Sequence, residues 1–176
     1  IYQIGAGMVG SAMAADLSKN HNLFLADYDL TILEKIHSKH PNIHISALDV
    51  TDQESLSKWI APADIVLLAV PGFLGYNALK TIINARKDVV DISFSPENIL
   101  DLNDLAKEKG VICSMAYGDQ PSLILEQIEW ARLNGFSIVC AGKGTKYHPT
   151  FEYSTPDTVW GHYGLTKERA ENESGM

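Results

Sequence analysis

A glycine-rich turn between two apolar runs limits what this chain can fold into more than any other stretch. Residues 1–4 form a short apolar run that leads into Gly5-Ala6-Gly7-Met8-Val9-Gly10. Small residues and good helix formers follow over 11–19, and a second apolar run over 23–26 ends at Asp27. This succession predicts a strand, a tight turn, a helix and a second strand.

The three glycines of this turn suit a site that receives phosphates. Gly5 permits the sharp turn, Gly7 lacks the Cβ that would keep a pyrophosphate away, and Gly10 lets the helix lie close to the sheet. The unpaired amides at the start of the helix, around Met8 and Val9, then face the phosphates at the positive end of the helix dipole. We therefore expect a dinucleotide site; the alternative is a glycine-rich turn before an unrelated helix.

Asp27 predicts which dinucleotide is bound. It lies about 20 residues past the central glycine, where a carboxylate binds the ribose hydroxyls of the adenosine half. Such a carboxylate repels a 2′-phosphate, and the next residues, Tyr28 and Asp29, supply no positive charge to bind one. We expect NAD rather than NADP, with Tyr28 beside the same ribose.

The rest of the chain alternates between helical and strand patterns, which predicts an α/β doubly wound parallel sheet, the Rossmann fold. Helices are expected over 30–40, from Thr51 or Asp52 through Trp59, over 78–86 and over 96–109, and strands over 43–48, 64–70, 88–92 and 111–115. Six strands complete the sheet near residue 116. We expect a dinucleotide-binding domain over 1–116 and part of a substrate domain over 117–176, with a helix to about Asn134 and a strand over 136–141.

Loops at the carboxyl ends of the later strands are the next expected cofactor contacts. Those after the third strand would lie near the adenine, although helix capping explains the acids there equally well. The loop after the fourth strand would border the pyrophosphate and nicotinamide ribose, with a plain turn as the alternative. The loop after the fifth strand would supply a nicotinamide or substrate contact. These residues are Asp49, Val50, Val70, Pro71, Gly72, Phe73 and Ser93.

Composition narrows the class of partner. The 176 residues carry a net charge of −8, which argues against nucleic acid and anionic membranes as general partners. No apolar stretch approaches the ~20 residues of a membrane span. Cys113 and Cys140 are expected as reduced, buried strand residues, which suits a cytoplasmic protein with a small-molecule substrate. His148 and His162 lack metal-ligand spacing, so no metal is expected, and a homodimer formed by exchange of the tail stays open.

Residues 1 to about 112 resemble the cofactor domain of the saccharopine dehydrogenase and lysine 6-dehydrogenase family. The resemblance lies in GAGMVGSAMAADL, LADYD and LDVTD, and most specifically in AVPGFLGYNAL followed by VVDISF. That family oxidises or forms a C–N bond at an amino acid with a nicotinamide cofactor. It therefore implies that Gly5, Gly7, Gly10, Asp27, Asp49 and the loop over 70–73 surround the dinucleotide.

From Tyr117 onward a different resemblance takes over. GDQP, AGKGTKY and STPDTVWGHYG resemble the homoserine-dehydrogenase-like family, which includes deoxyxylulose-phosphate reductoisomerase-like enzymes. This implies that Asp119, Lys143 and Lys146 lie near a sugar-phosphate-like or hydroxy-acid substrate. From spacing alone, the loop over 142–149, which contains both lysines, is equally an anion site or a solvated loop. Either one family blends both patterns or the chain is a composite, and both families need more chain than 176 residues.

Together these features predict an NAD(P)-dependent oxidoreductase, of which the given chain is the cofactor domain and the start of a catalytic one. Hydride would pass between nicotinamide and an amino-acid or hydroxy/keto substrate. Lys143 would polarise the substrate carbonyl or bind its anion, and Asp119 would accept a proton. The alternatives are a dinucleotide-binding module without catalysis and a sugar-nucleotide-binding relative.

Overall fold

The computed structural model describes residues 1–93, 95–117 and 138–142, with the backbone alone at Leu100, 115–117 and 138–142. The chain divides into two compact units, Ile1–Ile99 and Leu100–Met176. The glycine-rich turn and the predicted cofactor loops all belong to the first unit.

The first unit is built on five parallel strands in the order β3-β2-β1-β4-β5. The strands are β1 (Tyr2–Ile4), β2 (Phe24–Asp27), β3 (His44–Ala47), β4 (Val66–Leu68) and β5 (Val89–Asp91). The chain winds outward from β1 to β3 and then crosses back to β4 on the other side of β1. This reversal creates a crevice at the carboxyl ends of β1 and β4, where ligands of such sheets bind.

Four helices connect these strands: α1 (Met8–Leu17), α2 (Leu30–Lys39), α3 (Gln53–Ile60) and α4 (Gly72–Asn84). Aspartates cap two of them. The Asp29 carboxylate accepts from the amides of Thr31 and Ile32 at the start of α2, and the Asp52 carboxylate does the same at the start of α3. These side chains satisfy amides that have no partner within the helix.

Apolar side chains fill the space around β1, β2 and the first two helices. The buried cluster consists of Ala6, Ala14, Leu23, Leu25, Leu33, Ile36 and Ile43. Successive β1 side chains point to opposite faces, because Tyr2 contacts Trp59 of α3 while Gln3 reaches Gly10 of α1. The glycine turn therefore leaves a strand that is covered on both faces.

The second unit begins at Leu100, one residue into the 3-10 turn Ile99–Leu102. Helix α5 (Asn103–Lys109) follows and ends at Gly110, whose φ of 70° is left-handed. Strands β6 (Cys113–Tyr117) and β7 (Ile138–Gly142) are parallel to each other. The predicted strand at 136–141 is confirmed over 138–141, and the Cys113 side chain is buried as expected.

The α/β Rossmann fold is confirmed, but two helix starts were predicted wrongly. Helix α4 begins at Gly72, six residues before the expected 78, because Pro71 with φ −55° occupies the N-cap and the glycines that follow adopt helical geometry. The helix expected from Pro96 begins only at the 3-10 turn Ile99–Leu102, and the Ile99 side chain is buried. Among the described helices, none is long and apolar enough to cross a membrane.

Candidate dinucleotide site

The three glycines of the turn differ in what surrounds them. Gly5 has φ 103°, and a Cβ there would collide with the carbonyl oxygen of Ala69; a Cβ on Gly10 would collide with the Gly5 carbonyl. Both glycines are therefore required by the fold itself. Gly7 is exposed, and apart from its two chain neighbours no described residue has an atom within 4 Å of a Cβ built on it.

Hydrogen bonds fix the turn from three directions. The Gly5 amide donates to the Ala26 carbonyl at 2.8 Å, and the Ala6 amide donates to Asp27 Oδ2 at 2.7 Å. Gln3 Nε2 donates to the carbonyls of Gly5 (3.0 Å) and Gly10 (2.7 Å). Sequence reasoning missed Gln3, because a polar residue within a short apolar run carries no motif.

Helix α1 presents its amino end to solvent. Its first turn holds no acidic residue, and within the described part of the chain no side chain caps it. The side chains of Met8 and Val9 are 89% and 54% exposed. The predicted phosphate-facing amides therefore have no capping side chain among the described residues, and the helix dipole favours an anion there.

A groove of about 410 Å³ continues from this amino end along α1 and α2. Gly7, Met8 and Ser11 line it on the α1 side, and the side chains of Lys35 and Lys39 line it on the α2 side. Its positive charge suits an anionic ligand at the glycine turn.

Asp27 joins the turn to the segment that follows β2. Its Oδ2 accepts from the Ala6 amide, and its Oδ1 accepts from the Asp29 amide at 2.9 Å. Each oxygen keeps a further lone pair for a ligand hydroxyl. Tyr28, the next residue, is 82% exposed beside this carboxylate.

Asp49 and Val50 follow β3 at the same edge of the sheet. Asp49 Oδ1 accepts from the amide (2.9 Å) and the hydroxyl (2.7 Å) of Thr51, and these bonds hold the pKa of the exposed Asp49 carboxyl below its usual value. Capping of α3 was the alternative explanation for both acids in this segment. The cap is Asp52 alone, so capping does not explain Asp49.

The β4 and β5 ends lie under the first turn of α4. Val70 is buried, Pro71 is the α4 N-cap, Gly72 begins the helix, and Phe73 is 72% exposed. Gly75, one turn into α4, has no room for a side chain because a Cβ there would collide with the hydroxyls of Ser93 and Ser95. Residues 72–75, expected as a loop, are thus helical, and Ser93 lies buried against them.

Asp91 is an unexpected buried acid at the end of β5. It is 1% exposed; its Oδ1 accepts from the Ser93 amide at 2.7 Å, and its Oδ2 has no partner among the described residues. Burial raises the pKa of this carboxyl, and hydrogen bonding from Ser93 opposes the rise. The folded state therefore holds a proton on Asp91 more tightly than the unfolded state does.

We expect Asp91→Asn to raise stability at neutral pH and to weaken its pH dependence. A raised pKa means that the folded state binds more protons than the unfolded state, so wild-type stability falls as pH increases from about 3.8 through the folded-state pKa. Asn keeps the acceptor for Ser93 but carries no charge. Urea unfolding from pH 4 to pH 8 measures both effects, with Asp64→Asn at an exposed position as control. Parallel pH profiles for wild type and Asp91→Asn would contradict this.

The two predicted catalytic residues, Asp119 and Lys143, lie outside the described residues, and Lys146 does too. Among the described residues, no group of three or more His, Cys, Asp or Glu side chains could hold a metal ion. The described site thus consists of the glycine turn, the amino end of α1 and the carboxyl ends of the neighbouring strands.

The match to known families agrees with this geometry. A family model described as the saccharopine dehydrogenase NADP binding domain matches residues 1–113. The chain belongs to this family. A second model, described as the catalytic domain of the oxidoreductase DRL, matches residues 118–175. The expected saccharopine dehydrogenase resemblance is confirmed, as is an oxidoreductase segment after it, and the family binds a pyridine dinucleotide.

The proteins similar to this saccharopine dehydrogenase-like domain include dehydrogenases. It is 31% identical over 112 residues to a glycerol-3-phosphate dehydrogenase (NAD(P)+) of Aster yellows witches'-broom phytoplasma (strain AYWB), covering 60% of this chain and 33% of that protein. The saccharopine dehydrogenase (L-Glu forming) of Saccharomyces cerevisiae has the same fold, with a TM-score of 0.61 and 23% identity over 76% of this chain and 31% of that one. GenD2 from gentamicin A biosynthesis, solved in complex with NAD, has a TM-score of 0.52 and 17% identity. The match covers 64% of this chain and 32% of GenD2. The chain spans about a third of the length of these proteins.

Proposed function

We propose that this chain is the cofactor-binding part of an oxidoreductase that passes hydride between NAD and an amino-acid or hydroxy/keto substrate. The observation that carries the proposal is Gly7. Gly5 and Gly10 are required by neighbouring backbone, whereas Gly7 faces open space among the described residues. A glycine with no internal reason to lack a side chain fits a position that a ligand approaches closely.

The residues around Gly7 fit the pyrophosphate of a dinucleotide. The amides at Met8 and Val9 begin α1, where the helix end carries partial positive charge and no acid competes. Lys35 and Lys39, which line the adjoining groove, add positive charge to this side of the domain. When bound, the cofactor supplies the hydride chemistry, and this part of the chain binds and orients it.

Asp27 supports a preference for NAD over NADP. Its carboxylate lies at the end of β2, and each oxygen keeps a lone pair for a ribose hydroxyl. A 2′-phosphate at that ribose would face the carboxylate charge, and neither Tyr28 nor Asp29 offsets it. The family model is named for NADP, so the preference needs a direct comparison of the two cofactors.

We expect Asp27→Asn to weaken NADH binding about tenfold and to bring the dissociation constants of NADH and NADPH closer together. The substitution removes the charge that disfavours the 2′-phosphate, and its amide leaves either Ala6 or Asp29 without an acceptor. Calorimetric titration of both cofactors at fixed ionic strength gives the two dissociation constants.

Asp29→Asn is the matched control, because it removes a neighbouring charge while Asn still caps α2. It should change the ratio of the NADH and NADPH dissociation constants less than Asp27→Asn does, because the Asp29 carboxylate is engaged with the amides of Thr31 and Ile32. If wild type binds NADPH as tightly as NADH, the preference for NAD is wrong, although the dinucleotide site stands. If wild type binds neither, the proposed site itself is wrong.

The remaining cofactor contacts follow the strand ends. We assign the adenine edge to Asp49 and Val50, since the Thr51 bonds orient the Asp49 carboxylate and capping does not explain it. We assign the nicotinamide side to the start of α4 and to the β5 end. The residues there are Val70, Pro71, Gly72, Phe73 and Ser93. Asp119 and Lys143 remain our proposals for the proton acceptor and for polarisation of the substrate.

A further inference from the structure

Gln3 is a buried polar residue that the proposed cofactor contacts do not include. It lies in the middle of β1, paired with Leu25 of β2 and Leu67 of β4, and it is 0% exposed. Its side-chain amide donates to the carbonyls of Gly5 and Gly10, at 3.0 Å and 2.7 Å. These two acceptors fix the orientation of the amide, because Oε1 in that place would face carbonyl oxygens.

The same side chain carries a cost that core packing alone would avoid. With Nε2 directed at the two carbonyls, Oε1 is buried and has no hydrogen-bond partner within the described ranges. A buried acceptor without a partner is unfavourable, whereas a methionine of similar length has no such atom. The benefit of the amide must therefore come from the turn that it holds.

The two bonds of Gln3 tie together the beginning and the end of the glycine turn. Gly5 is the first residue of the turn, and Gly10 lies within the first helical turn of α1. Asp27 holds the Ala6 amide from the other side. The fixed backbone thus brackets Gly7, which alone among the three glycines faces open space.

We infer that Gln3 is a positioning residue, whose side-chain amide holds the Gly5 and Gly10 carbonyls so that the turn presents its free amides to a pyrophosphate. The inference rests on the proposed dinucleotide site. The ligand group concerned is the pyrophosphate. It binds more tightly to a turn that is already ordered, because no binding free energy is lost in ordering the turn.

The test compares Gln3→Met with wild type in binding to ADP-ribose, NADH and adenosine. We expect ADP-ribose and NADH to bind at least tenfold more weakly to the variant by calorimetry. Adenosine lacks the pyrophosphate, so its weak affinity, followed by ligand-observed NMR, should change less than twofold. A general loss of stability in the variant would weaken the binding of all three ligands, with or without the pyrophosphate.

Leu23→Val is the matched control. Leu23 is fully buried in the apolar cluster around β1 and β2, but it precedes β2, at the opposite end of that strand from Asp27. This variant should lower the thermal midpoint without changing ADP-ribose affinity. If wild type binds ADP-ribose and Gln3→Met binds it equally well, the role of Gln3 is refuted while the site stands; if wild type does not bind it, the proposed function fails first.

Should Gln3→Met fail to fold, wild type supplies the test through its side-chain amides. ADP-ribose should slow solvent exchange of Gln3 Nε2 at least tenfold more than that of Asn42 Nδ2, which donates to the Ser18 carbonyl away from the turn. Equal slowing of both amides would overturn the inference.

Discussion

Gly7→Ala is expected to weaken NADH binding at least 100-fold, about 2.7 kcal/mol, while leaving the fold intact. The backbone of Gly7, with φ −63° and ψ −169°, is open to alanine, and no described atom lies within 4 Å of the added Cβ. Alanine is a poorer helix N-cap than glycine, so we expect the free energy of unfolding to fall by no more than about 1 kcal/mol. Calorimetry with NADH and urea unfolding measure the two quantities.

Gly10→Ala gives the contrast that makes the first result interpretable. Its Cβ would collide with the Gly5 carbonyl, so this variant should lose stability and NADH affinity together. If Gly7→Ala binds NADH as tightly as wild type, no pyrophosphate lies against Gly7, and the proposed function loses the observation that carries it.

Gly5→Ala is expected to produce the largest loss of stability, about 3–5 kcal/mol, enough to unfold a marginal domain. Two effects add at this position. A φ of 103° is strained for any residue with a side chain, and the new Cβ would collide with the backbone carbonyl of Ala69, which cannot move without distorting the end of β4. Urea or thermal unfolding followed by circular dichroism measures the loss.

Gly110→Ala separates these two effects. Gly110 also has a positive φ, 70°, but nothing in the described part of the chain lies within 4 Å of its Cβ. It should therefore show the conformational cost alone, about 1–2 kcal/mol. Equal losses for Gly5→Ala and Gly110→Ala would mean that the close approach to Ala69 has no energetic weight.

The order of strands and helices was predictable because apolar runs and glycine spacing report it directly. The turn after β1 and the acid at Asp27 follow from the same short-range pattern, and both lie within the residues that the family model matches. The start of α4 was not predictable in this way. Pro71, Gly72 and Gly75 resemble a loop, yet Gly75 is needed because Ser93, 18 residues later, packs against that helical turn.

Gln3 and Asp91 show the same limit for polar side chains. Gln3 lies in the middle of β1, and its bond to Gly10 becomes visible only when the strand, the turn and the helix are placed together. Asp91 ends β5 and bonds the nearby Ser93 amide, but its burial becomes visible only in the folded sheet. In the sequence Gln3 is a minor irregularity in an apolar run. In the structure its amide bridges the carbonyls of Gly5 and Gly10, which lie two and seven residues further along the chain.

The two bonds of Asp27 have a consequence for attempts to exchange one cofactor for the other. Its carboxylate is proposed to select the ribose, and it also holds the backbone amide of Ala6. A redesign toward NADPH that simply deletes this acid would loosen the turn that must seat the phosphates. Such a redesign needs two coordinated changes, a cation for the added phosphate and a neutral acceptor, such as a serine or threonine hydroxyl, to replace the lost contact with Ala6.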